Sequence, residues 1–354
     1  MTSSTDRYSW QMVEPGKPLV WAEGAGRTPS PDEVVVEVAG CGVCHTDLGF
    51  LDGDVKTVAP LPLVLGHEIS GRVVEAGSNT NDWLGRDVLV PAVIPCGTCD
   101  LCSTGRSNVC QDQQMPGNGF DGGFATHITV PVTGLSPIED LPSGYELADL
   151  AVVADAVTTP FHAMRKAEVG EGDFVVVVGV GGVGTYAVQI AAAFGAKVVA
   201  IDIDDARLEP LLDHGARATV NSRGLSPREV RDQVRGHADT FGAPRTGWKI
   251  FECSGTAPGQ ETAYGLLVPA ATLGIVGFTR DKVTIRLSNL MAFDASAIGN
   301  WGCPIEMYPG AIELVTSGQI AILPFTHKVP MSEINEVLAA AHGAGDPRRT
   351  ILIP

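Results

Sequence analysis

The stretch from Asp173 to Ile201 restricts the possible folds of this 354-residue chain more than any other. It begins with a continuous apolar strand, Asp173–Val178, which runs into a glycine-rich turn. An Ala-rich helix from Val183 to Phe194 and a second apolar strand, Lys197–Ile201, follow. Buried parallel strands are unbroken apolar runs, and helices connect them. The pattern therefore predicts a βαβ unit in a doubly wound parallel sheet.

The turn itself has the pattern G-x-G-x-x-G, which is weak evidence alone but here follows a strand and opens a helix, as a dinucleotide-binding fold requires. Glycines let the pyrophosphate approach the helix N-terminus. The candidate cofactor ligands in this turn are Gly179, Gly181, Gly182, Val183 and Gly184.

Asp202 ends the second strand of this unit. A carboxylate there accepts hydrogen bonds from the ribose 2′-hydroxyl and repels a 2′-phosphate, which favours NAD over NADP. Arg207 leaves an alternative open, because its side chain can reach an adenosine phosphate or merely stack near the adenine.

A second feature is a run of four cysteines with the spacing C-x2-C-x2-C-x7-C, in a lobe at about residues 95–111. Four thiolates suit a tetrahedral structural zinc site with no open position. An iron–sulfur cluster also uses four thiolates, although its usual spacings differ. Zinc is the favoured interpretation, with Cys96, Cys99, Cys102 and Cys110 as ligands.

A third feature combines Cys44 with His67, one thiolate and one imidazole. A catalytic zinc takes about three protein ligands and leaves one position for water or substrate. The best third candidate is Asp155, just before the predicted nucleotide domain, although such a residue is otherwise a helix cap or surface carboxylate. Glu68 is a transient ligand or, as we favour, a support for the ligands.

Three neighbours of Cys44 are candidates for supporting roles. We expect Asp47 to orient His67 through its second ring nitrogen, unless it is only a turn carboxylate. Thr46 is placed to accept the substrate proton, or is a plain turn threonine. His45 contacts the cofactor pyrophosphate, continues the proton path, or is an exposed histidine without a role. Together these features predict hydride transfer between an alcohol and a nicotinamide, with two zinc ions and one NAD per chain.

Composition excludes some other functions. The net charge of −17 argues against nucleic acid, because phosphate binding requires clustered Lys and Arg. The first residues lack the layout of a signal peptide, and no apolar run approaches the ~18 residues of a membrane span. We therefore expect a cytoplasmic protein whose eight cysteines are metal ligands or buried thiols.

The distribution of Gly, Pro and apolar residues along the chain predicts three segments. Residues 1–154 are rich in Gly and Pro with short β-branched runs, which is typical of antiparallel strands. Residues 155–299 form the doubly wound domain, with later strands at 249–252 and 271–276. Residues 300–354 rejoin the first domain with a helix at 331–342 and a strand at 350–353. The predicted fold class is α/β, with one β-rich domain and one parallel-sheet domain.

These motifs, in this order, resemble the medium-chain zinc-dependent alcohol dehydrogenase family from Gly40–Asp47 through the fingerprint at Gly179. The resemblance implies a GroES-like catalytic domain and a Rossmann domain, and a homo-oligomer formed through strands near residues 271–287. It also implies further cofactor contacts: Thr159 near the nicotinamide, Ile275, Val276 and Gly277 along the carboxamide pocket, and Arg349 near the pyrophosphate.

The chain also departs from the family pattern. Asp155 stands where many members have Cys or Glu, Gly49 where several have a relay histidine, and Ala92 where an aromatic residue often narrows the pocket. A secondary, cyclic alcohol larger than ethanol is therefore expected. Residues 153–160 and 287–303 resemble members that act on cyclic hydroxyacyl-CoA esters.

An acyl-CoA would need local cations, which Arg280, Lys282 and Arg286 supply unless they are a solvated strand face. The alternatives are a general secondary-alcohol dehydrogenase, a zinc-free enone or quinone reductase, and a catalytically silent NAD-binding protein.

Overall fold

The computed structural model describes residues 7–24, 26–342 and 346–354. The strands, numbered in chain order, are β1 Tyr8–Met12, β2 Val20–Glu23, β3 Glu33–Gly42, β4 Leu63–Val64, β5 Glu68–Ala76, β6 Asp87–Val90, β7 His127–Pro131, β8 Ser136–Pro137, β9 Phe174–Val178, β10 Lys197–Asp202, β11 Ala216–Asn221, β12 Lys249–Glu252, β13 Thr272–Ile275, β14 Ser296–Gly299, β15 Thr326–Pro330 and β16 Arg349–Ile353.

The α-helices are α1 His45–Leu51, α2 Asp100–Ser103, α3 Thr158–Lys166, α4 Gly184–Ala193, α5 Asp205–Leu208, α6 Pro227–Thr240, α7 Ala257–Gly265, α8 Ser288–Phe293, α9 Tyr308–Thr316 and α10 Ile334–Ala341. The 3-10 helices are Asn81–Trp83, Ser107–Val109, Leu147–Ala154, Glu209–Leu212, Ile305–Met307, Leu323–Phe325 and Met331–Glu333.

The chain divides into two compact units. The first contains the chain up to Thr158 together with Gly302–Thr316 and Ile322–Pro354. The second contains Thr159–Trp301 and Ser317–Ala321. The first boundary thus follows Thr158, a few residues beyond the predicted residue 154, and it leaves Asp155 in the same unit as Cys44 and His67.

The first unit is built on antiparallel strands, as its short β-branched runs predict. Its larger, seven-stranded sheet has the order β15-β16-β3-β5-β6-β8, with β7 also paired to β3. The long strand β3 pairs with β5, β7 and β16, so three separate parts of the chain meet on it. Its side chains Val34, Val36 and Val38 enter a buried apolar core. These buried side chains hold β3 in place in the sheet. The strand ends at Gly42, and Cys44 follows two residues later.

The second unit contains a six-stranded parallel sheet in the order β11-β10-β9-β12-β13-β14. This is the strand order of the dinucleotide-binding fold, so the predicted fold class is confirmed. All five residues of β9 are buried, because helices cover both faces of such a sheet. The predicted helix from Val183 is α4, which begins one residue later at Gly184.

The strand predicted at residues 271–276 is β13, which ends at Ile275 and lies between β12 and β14 with its backbone paired on both sides. Self-association through strands near residues 271–287 stays a prediction. The described residues 276–287 form no strand and are mostly exposed, so Arg280, Lys282 and Arg286 do not form a strand face. Among the described residues, the edge strands of this sheet are β11 and β14.

Within residues 7–24, 26–342 and 346–354, no helix has both the length and the apolar character needed to cross a membrane.

Candidate functional site

The four clustered cysteines come together as their spacing predicts. Their sulfur atoms all lie within 4.8 Å of one another. The measured Sγ–Sγ distances are 3.4 Å for Cys99–Cys102, 3.7 Å for Cys99–Cys110 and 3.9 Å for Cys96–Cys102. Tetrahedral ligands at a zinc–sulfur distance of about 2.3 Å lie about 3.8 Å apart. The geometry suits a single ion better than a four-iron cluster, in which each thiolate binds a different iron and the sulfurs are farther apart.

One hydrogen bond within the lobe favours the thiolate form of Cys96, whereas burial raises the pKa of the Cys102 and Cys110 thiols. The Thr98 backbone N–H donates to Cys96 Sγ, which lowers the pKa of the Cys96 thiol to about 6. The 3-10 helix Ser107–Val109 is attached to the C-terminal part of the unit, because Ser107 Oγ donates to Glu306 Oε2 at 2.8 Å. Besides the contacts among its four cysteines, the lobe is therefore held by the Ser107 side chain, which connects it to Glu306.

The second cluster is assembled from three separate elements of the first unit. Cys44 lies just before α1, His67 and Glu68 lie where β5 begins, and Asp155 follows the 3-10 helix Leu147–Ala154. One donor atom from each of these four residues lies within 4.8 Å of all the others. His67 Nε2 is 3.6 Å from Asp155 Oδ2. The structure thus brings together the three proposed zinc ligands and Glu68.

Asp47 connects the parts of this cluster. Its Oδ2 accepts from the backbone N–H of Cys44 at 2.9 Å. Its Oδ1 accepts from the backbone N–H of Gly66 at 3.2 Å and lies 3.0 Å from His67 Nδ1. Because the carboxylate accepts the Nδ1 proton, Nε2 is left as the free lone pair that faces Asp155.

The cluster fits a cation. Burial lowers the pKa of His67, but the carboxylates of Asp47 and Asp155 outweigh it and raise that pKa well above its ordinary value. The carboxylates therefore favour positive charge at this position, whether a proton on Nε2 carries it or a metal ion that takes the place of that proton. A thiolate, an imidazole and a carboxylate are also the donor types that zinc accepts. We infer that the donor set fits a zinc ion.

Glu68 has a strong partner that the sequence does not reveal. Arg349, from β16, makes a two-pronged ion pair with Glu68, with Nε 2.8 Å from Oε2 and Nη2 bonded to Oε1. Both side chains are buried. A side chain at Gly42 would overlap the Glu68 carboxylate. The predicted contact of Arg349 with the pyrophosphate stays a prediction, whereas its contact with Glu68 is present.

Thr46 and His45 lie in the first turn of α1 and are exposed, unlike the donors. Thr46 Oγ1 is 3.7 Å from Cys44 Sγ, so its hydroxyl lies beside the cluster. This placement suits a proton acceptor for a substrate held at the cluster. The roles of both residues stay predictions.

The glycine-rich turn forms a backbone cradle in the second unit. Gly179 has φ of +85°, and a side chain there would collide with Ser254. A side chain at Gly184 would collide with the Gly179 carbonyl. A Cβ on Gly181 would instead have Arg207 Nη1 as its neighbour at 3.5 Å. The turn is thus closely packed on the protein side, and the Arg207 guanidinium lies beside Gly181.

Asp202 closes one side of this cradle. Its Oδ2 accepts from the backbone N–H of Val180 at 2.8 Å, and its Oδ1 accepts from Ile203 N at 2.7 Å. The carboxylate is therefore held next to the turn that would bind a pyrophosphate, as the assignment to a ribose hydroxyl requires.

The remaining predicted cofactor residues also lie in the second unit. Thr159 is buried, and its carbonyl accepts from Asn300 Nδ2 at 3.1 Å. The backbone N–H groups of Val276 and Gly277 both donate to the Glu252 carbonyl at 2.9 Å. Any carboxamide contact along Ile275–Gly277 must therefore use other backbone groups of this segment. These cofactor contacts stay predictions.

The sequence analysis missed two buried residues at these sites. Glu252 ends β12 and receives the two N–H groups just described, a position that the end of a predicted strand could have indicated. Tyr308 contacts the residue before Asp155, and no local sequence signal marks it.

Comparisons with known proteins agree with this geometry. The sequence model of the alcohol dehydrogenase GroES-like domain matches residues 30–140, and that of the zinc-binding dehydrogenase matches residues 182–317. An alcohol dehydrogenase of Geobacillus stearothermophilus is 31% identical over 309 residues, 86% of each chain.

Two solved structures illustrate the similarity of the fold. The alcohol dehydrogenase of Aeropyrum pernix has a TM-score of 0.88 and 27% identity, and the match covers 98% of this chain and 100% of the other. A structure from Sinorhizobium meliloti 1021 bound to NADP has a TM-score of 0.87 and 26% identity, and the match covers 99% and 100%.

Proposed function

The chain belongs to the medium-chain zinc-binding alcohol dehydrogenase family, and on that premise we propose that it oxidises a secondary, cyclic alcohol to a ketone with NAD. The observation that carries the proposal is the convergence of Cys44, His67 and Asp155 within 4.8 Å, with Asp47 bonded to His67. Three donors of mixed type leave one position open, which distinguishes a catalytic zinc site from the closed four-cysteine site.

A zinc ion bound by these donors supplies Lewis acidity, which lowers the pKa of a coordinated hydroxyl. Asp47 holds the His67 ring in the tautomer that presents Nε2 to the site. The Thr46 hydroxyl, beside Cys44, accepts the substrate proton, and exposed His45 passes it to solvent. The fingerprint turn would hold a dinucleotide, which would supply the hydride acceptor.

We propose NAD as the cofactor because of Asp202. Its carboxylate is held beside the fingerprint turn, where it repels a 2′-phosphate. The relative from Sinorhizobium meliloti 1021 is bound to NADP, so the family fold alone does not decide between the two cofactors.

For the substrate, we propose 6-hydroxycyclohex-1-ene-1-carbonyl-CoA, oxidised to its 6-oxo product. The stretches 153–160 and 287–303 resemble 6-hydroxycyclohex-1-ene-1-carbonyl-CoA dehydrogenase, an enzyme of aromatic degradation. Ala92 is small and Arg280, Lys282 and Arg286 are exposed cations, which suits a bulky ring and an anionic carrier. A general secondary-alcohol dehydrogenase is the alternative.

We also propose self-association of the chain. Among the described residues β14 pairs only with β13, and Leu287 and Met291 nearby are 67% and 78% exposed. The same open edge on a second copy would satisfy these backbone groups. The reduced thiols of both metal clusters further suit a cytoplasmic location.

The decisive test of the reaction is metal content together with turnover. We expect about two zinc ions per chain in the native enzyme and about one in Asp155→Asn, with turnover lost and the four-cysteine zinc retained. Asp87→Asn, which alters an exposed ion pair with Arg72, is the matched control and should keep about two zinc ions per chain. Normal turnover in protein that holds only the four-cysteine zinc would instead support a zinc-free reductase.

The substrate is tested by following NAD reduction with the cyclic hydroxyacyl-CoA, simple secondary alcohols and sugar alcohols. The proposal requires the acyl-CoA to give the highest kcat/KM. Preference for a simple alcohol would favour the general dehydrogenase, and NAD binding without reduction by any alcohol would indicate a silent protein.

A further inference from the structure

Tyr308 is a fully buried phenol of the first unit that lies close to the proposed metal donors. It is the first residue of α9 and is 1% exposed. Its Oη accepts from the backbone N–H of Ala92 at 3.2 Å and donates to the carbonyl oxygen of Ala154 at 2.6 Å. One hydroxyl thus connects a residue predicted to line the substrate pocket with the residue before Asp155.

The Ala154 carbonyl controls where the Asp155 side chain points. The carbonyl of Ala154 and the N and Cα atoms of Asp155 belong to one planar peptide unit, so fixing the oxygen also fixes the plane. Asp155 itself has φ of −140° and ψ of −56°, outside the regular helix and strand regions. Regular secondary structure therefore does not hold this residue, and the plane needs side-chain contacts.

Two side chains provide those contacts. The Ala154 carbonyl oxygen accepts one hydrogen bond from Tyr308 Oη at 2.6 Å and a second from Thr158 Oγ1 at 3.0 Å. Thr158 follows Asp155 by three residues and begins α3, whereas Tyr308 comes from a helix about 150 residues away. Tyr308 therefore ties the Asp155 segment to a part of the unit that is distant in sequence.

We propose that Tyr308 is a positioning residue that sets the metal affinity of the open site by fixing the Asp155 peptide. The inference rests on the proposed function, since it takes Asp155 as the third zinc donor. Tyr308 is not one of the clustered donors, so it acts through Asp155 and through the spacing between Asp155 and Ala92.

The test is Tyr308→Phe, which keeps the ring and removes only the hydroxyl. Tyr145→Phe is the matched control, because Tyr145 Oη accepts from Ile322 N at 3.1 Å elsewhere in the first unit. Zinc affinity is measured by competition with a chelator, and the cobalt-substituted proteins are compared by visible absorption. Loss of one buried hydrogen bond corresponds to about a tenfold change in an equilibrium constant.

We expect Tyr308→Phe to bind zinc about tenfold more weakly at the open site, with the four-cysteine site unchanged. The visible cobalt bands should shift, and kcat should fall more than KM rises. Tyr145→Phe should match the native protein in all of these. Native-like zinc affinity and cobalt bands in Tyr308→Phe would overturn the inference.

Asp155→Asn separates this inference from the function on which it rests. If Asp155→Asn also keeps native zinc affinity at the open site, Asp155 is not a donor and the proposed ligand set fails. If Asp155→Asn loses the metal while Tyr308→Phe does not, the ligand set stands and only the positioning role is overturned.

Discussion

The Asp47 carboxylate accepts from two backbone N–H groups, and its Oδ1 also lies 3.0 Å from His67 Nδ1. It is completely buried and binds no metal itself. At the scale of single residues, the donors of the open site are therefore held by side chains that contact them, here Asp47 for His67 and for the Cys44 backbone.

We predict that Asp47→Asn weakens zinc binding at the open site. The amide keeps the size of the side chain but replaces one acceptor oxygen with a donor, so one of the three contacts becomes repulsive. Loss of such a supporting contact lowers metal affinity or activity by about 10- to 100-fold. The measurement is zinc per chain after dialysis, with kcat/KM alongside. Asp87→Asn is the control, and equal zinc retention in both variants would contradict the prediction.

We predict that Asp202→Ser changes the choice of cofactor. In the proposed NAD complex the carboxylate would accept hydrogen bonds from the ribose and repel a 2′-phosphate beside Arg207, and the substitution would remove both effects. The NAD-dependent kcat/KM should fall about tenfold and the NADP-dependent value should rise, since a charged hydrogen bond contributes about 1.5–3 kcal/mol. Asp204→Ser, two residues away, should keep the native ratio. An unchanged ratio in Asp202→Ser would refute the role of the carboxylate.

The sequence predicts some of these residues and not others. Cys44, His67 and Asp155 are recognisable because each stands beside a motif or a domain boundary. The Glu68–Arg349 pair and the Tyr308–Ala154 contact join residues 281 and 154 positions apart. Only the folded sheet and helix α9 bring these partners together, so no local pattern marks them.

At the scale of elements, the four-cysteine lobe has little regular structure: helix α2 has four residues and the following 3-10 helix has three. Such short elements are not stable alone, so we expect the lobe to depend on an ion at its four cysteines and on the contacts of Ser107 with Glu306 and Ile305.

We predict that Cys99→Ser loses the lobe zinc and makes residues near 95–111 sensitive to protease. Zinc content should fall by one ion per chain, and the first cleavages, mapped by mass spectrometry, should lie in this lobe. The open-site zinc should remain, unlike in Cys44→Ser, which serves as the control with an intact lobe. Native resistance to protease in Cys99→Ser would contradict the prediction.

The start of β3 depends on an ion pair. Arg27 donates to Glu33 Oε2 at 2.6 Å, and the Ser30 backbone N–H donates to the same oxygen at 2.8 Å. These contacts, the Arg27 hydrogen bond above all, lower the pKa of Glu33 to about 2. A carboxyl whose pKa is lower in the folded state stabilises the protein above its unfolded pKa, and that stability is lost as pH falls toward 2.

We therefore predict that Glu33→Gln lowers the free energy of unfolding at pH 7 by about 1 kcal/mol, a small value because Arg27 is half exposed. The difference from the native protein should shrink as pH falls from about 4.5 toward 3. Urea unfolding across that range is the measurement. Glu313→Gln, on the exposed face of α9, should show no pH-dependent difference. A difference that stays constant with pH would exclude the ion pair as its cause.

Elements of the second unit were the easiest to predict. Strand β9 is apolar throughout, and β10 and β12 are apolar between a lysine and an acidic residue at their ends, because both faces of a parallel sheet are buried. The first unit is harder, since its strands pair across long distances and two of them have only two residues. Helix α1 after Cys44 was not predicted, because its seven residues include Gly49 and carry no clear helical period.

At the scale of the whole molecule, all four donors of the open cluster lie in the first unit, whereas the fingerprint turn and Asp202 lie in the second. Metal binding and dinucleotide binding are thus assigned to different parts of the chain. Each function should therefore survive loss of the other.

We predict that Cys44→Ser binds NAD with a Kd within about threefold of the native value, less than 1 kcal/mol, although its turnover is lost. Calorimetry with NAD is the measurement. Gly179→Val, which forces a side chain against Ser254, is the opposite control and should lose NAD binding while keeping the open-site zinc. Loss of NAD binding in Cys44→Ser would show that the two functions are not separable.

The ion pair between Glu68 and Arg349 has a consequence for synthesis. At about 5–20 residues per second, the ribosome reaches Arg349 roughly 15 to 55 s after Glu68, because 281 positions separate them. During that interval the nascent chain contains the Glu68 carboxylate, which is buried in the folded protein, but does not yet contain the Arg349 guanidinium that pairs with it. Since burying a lone charge is costly, the charged partner of Glu68 at the start of β5, beside the zinc donors, becomes available only after β16 has been translated. The Glu68–Arg349 pair is therefore completed only late in translation.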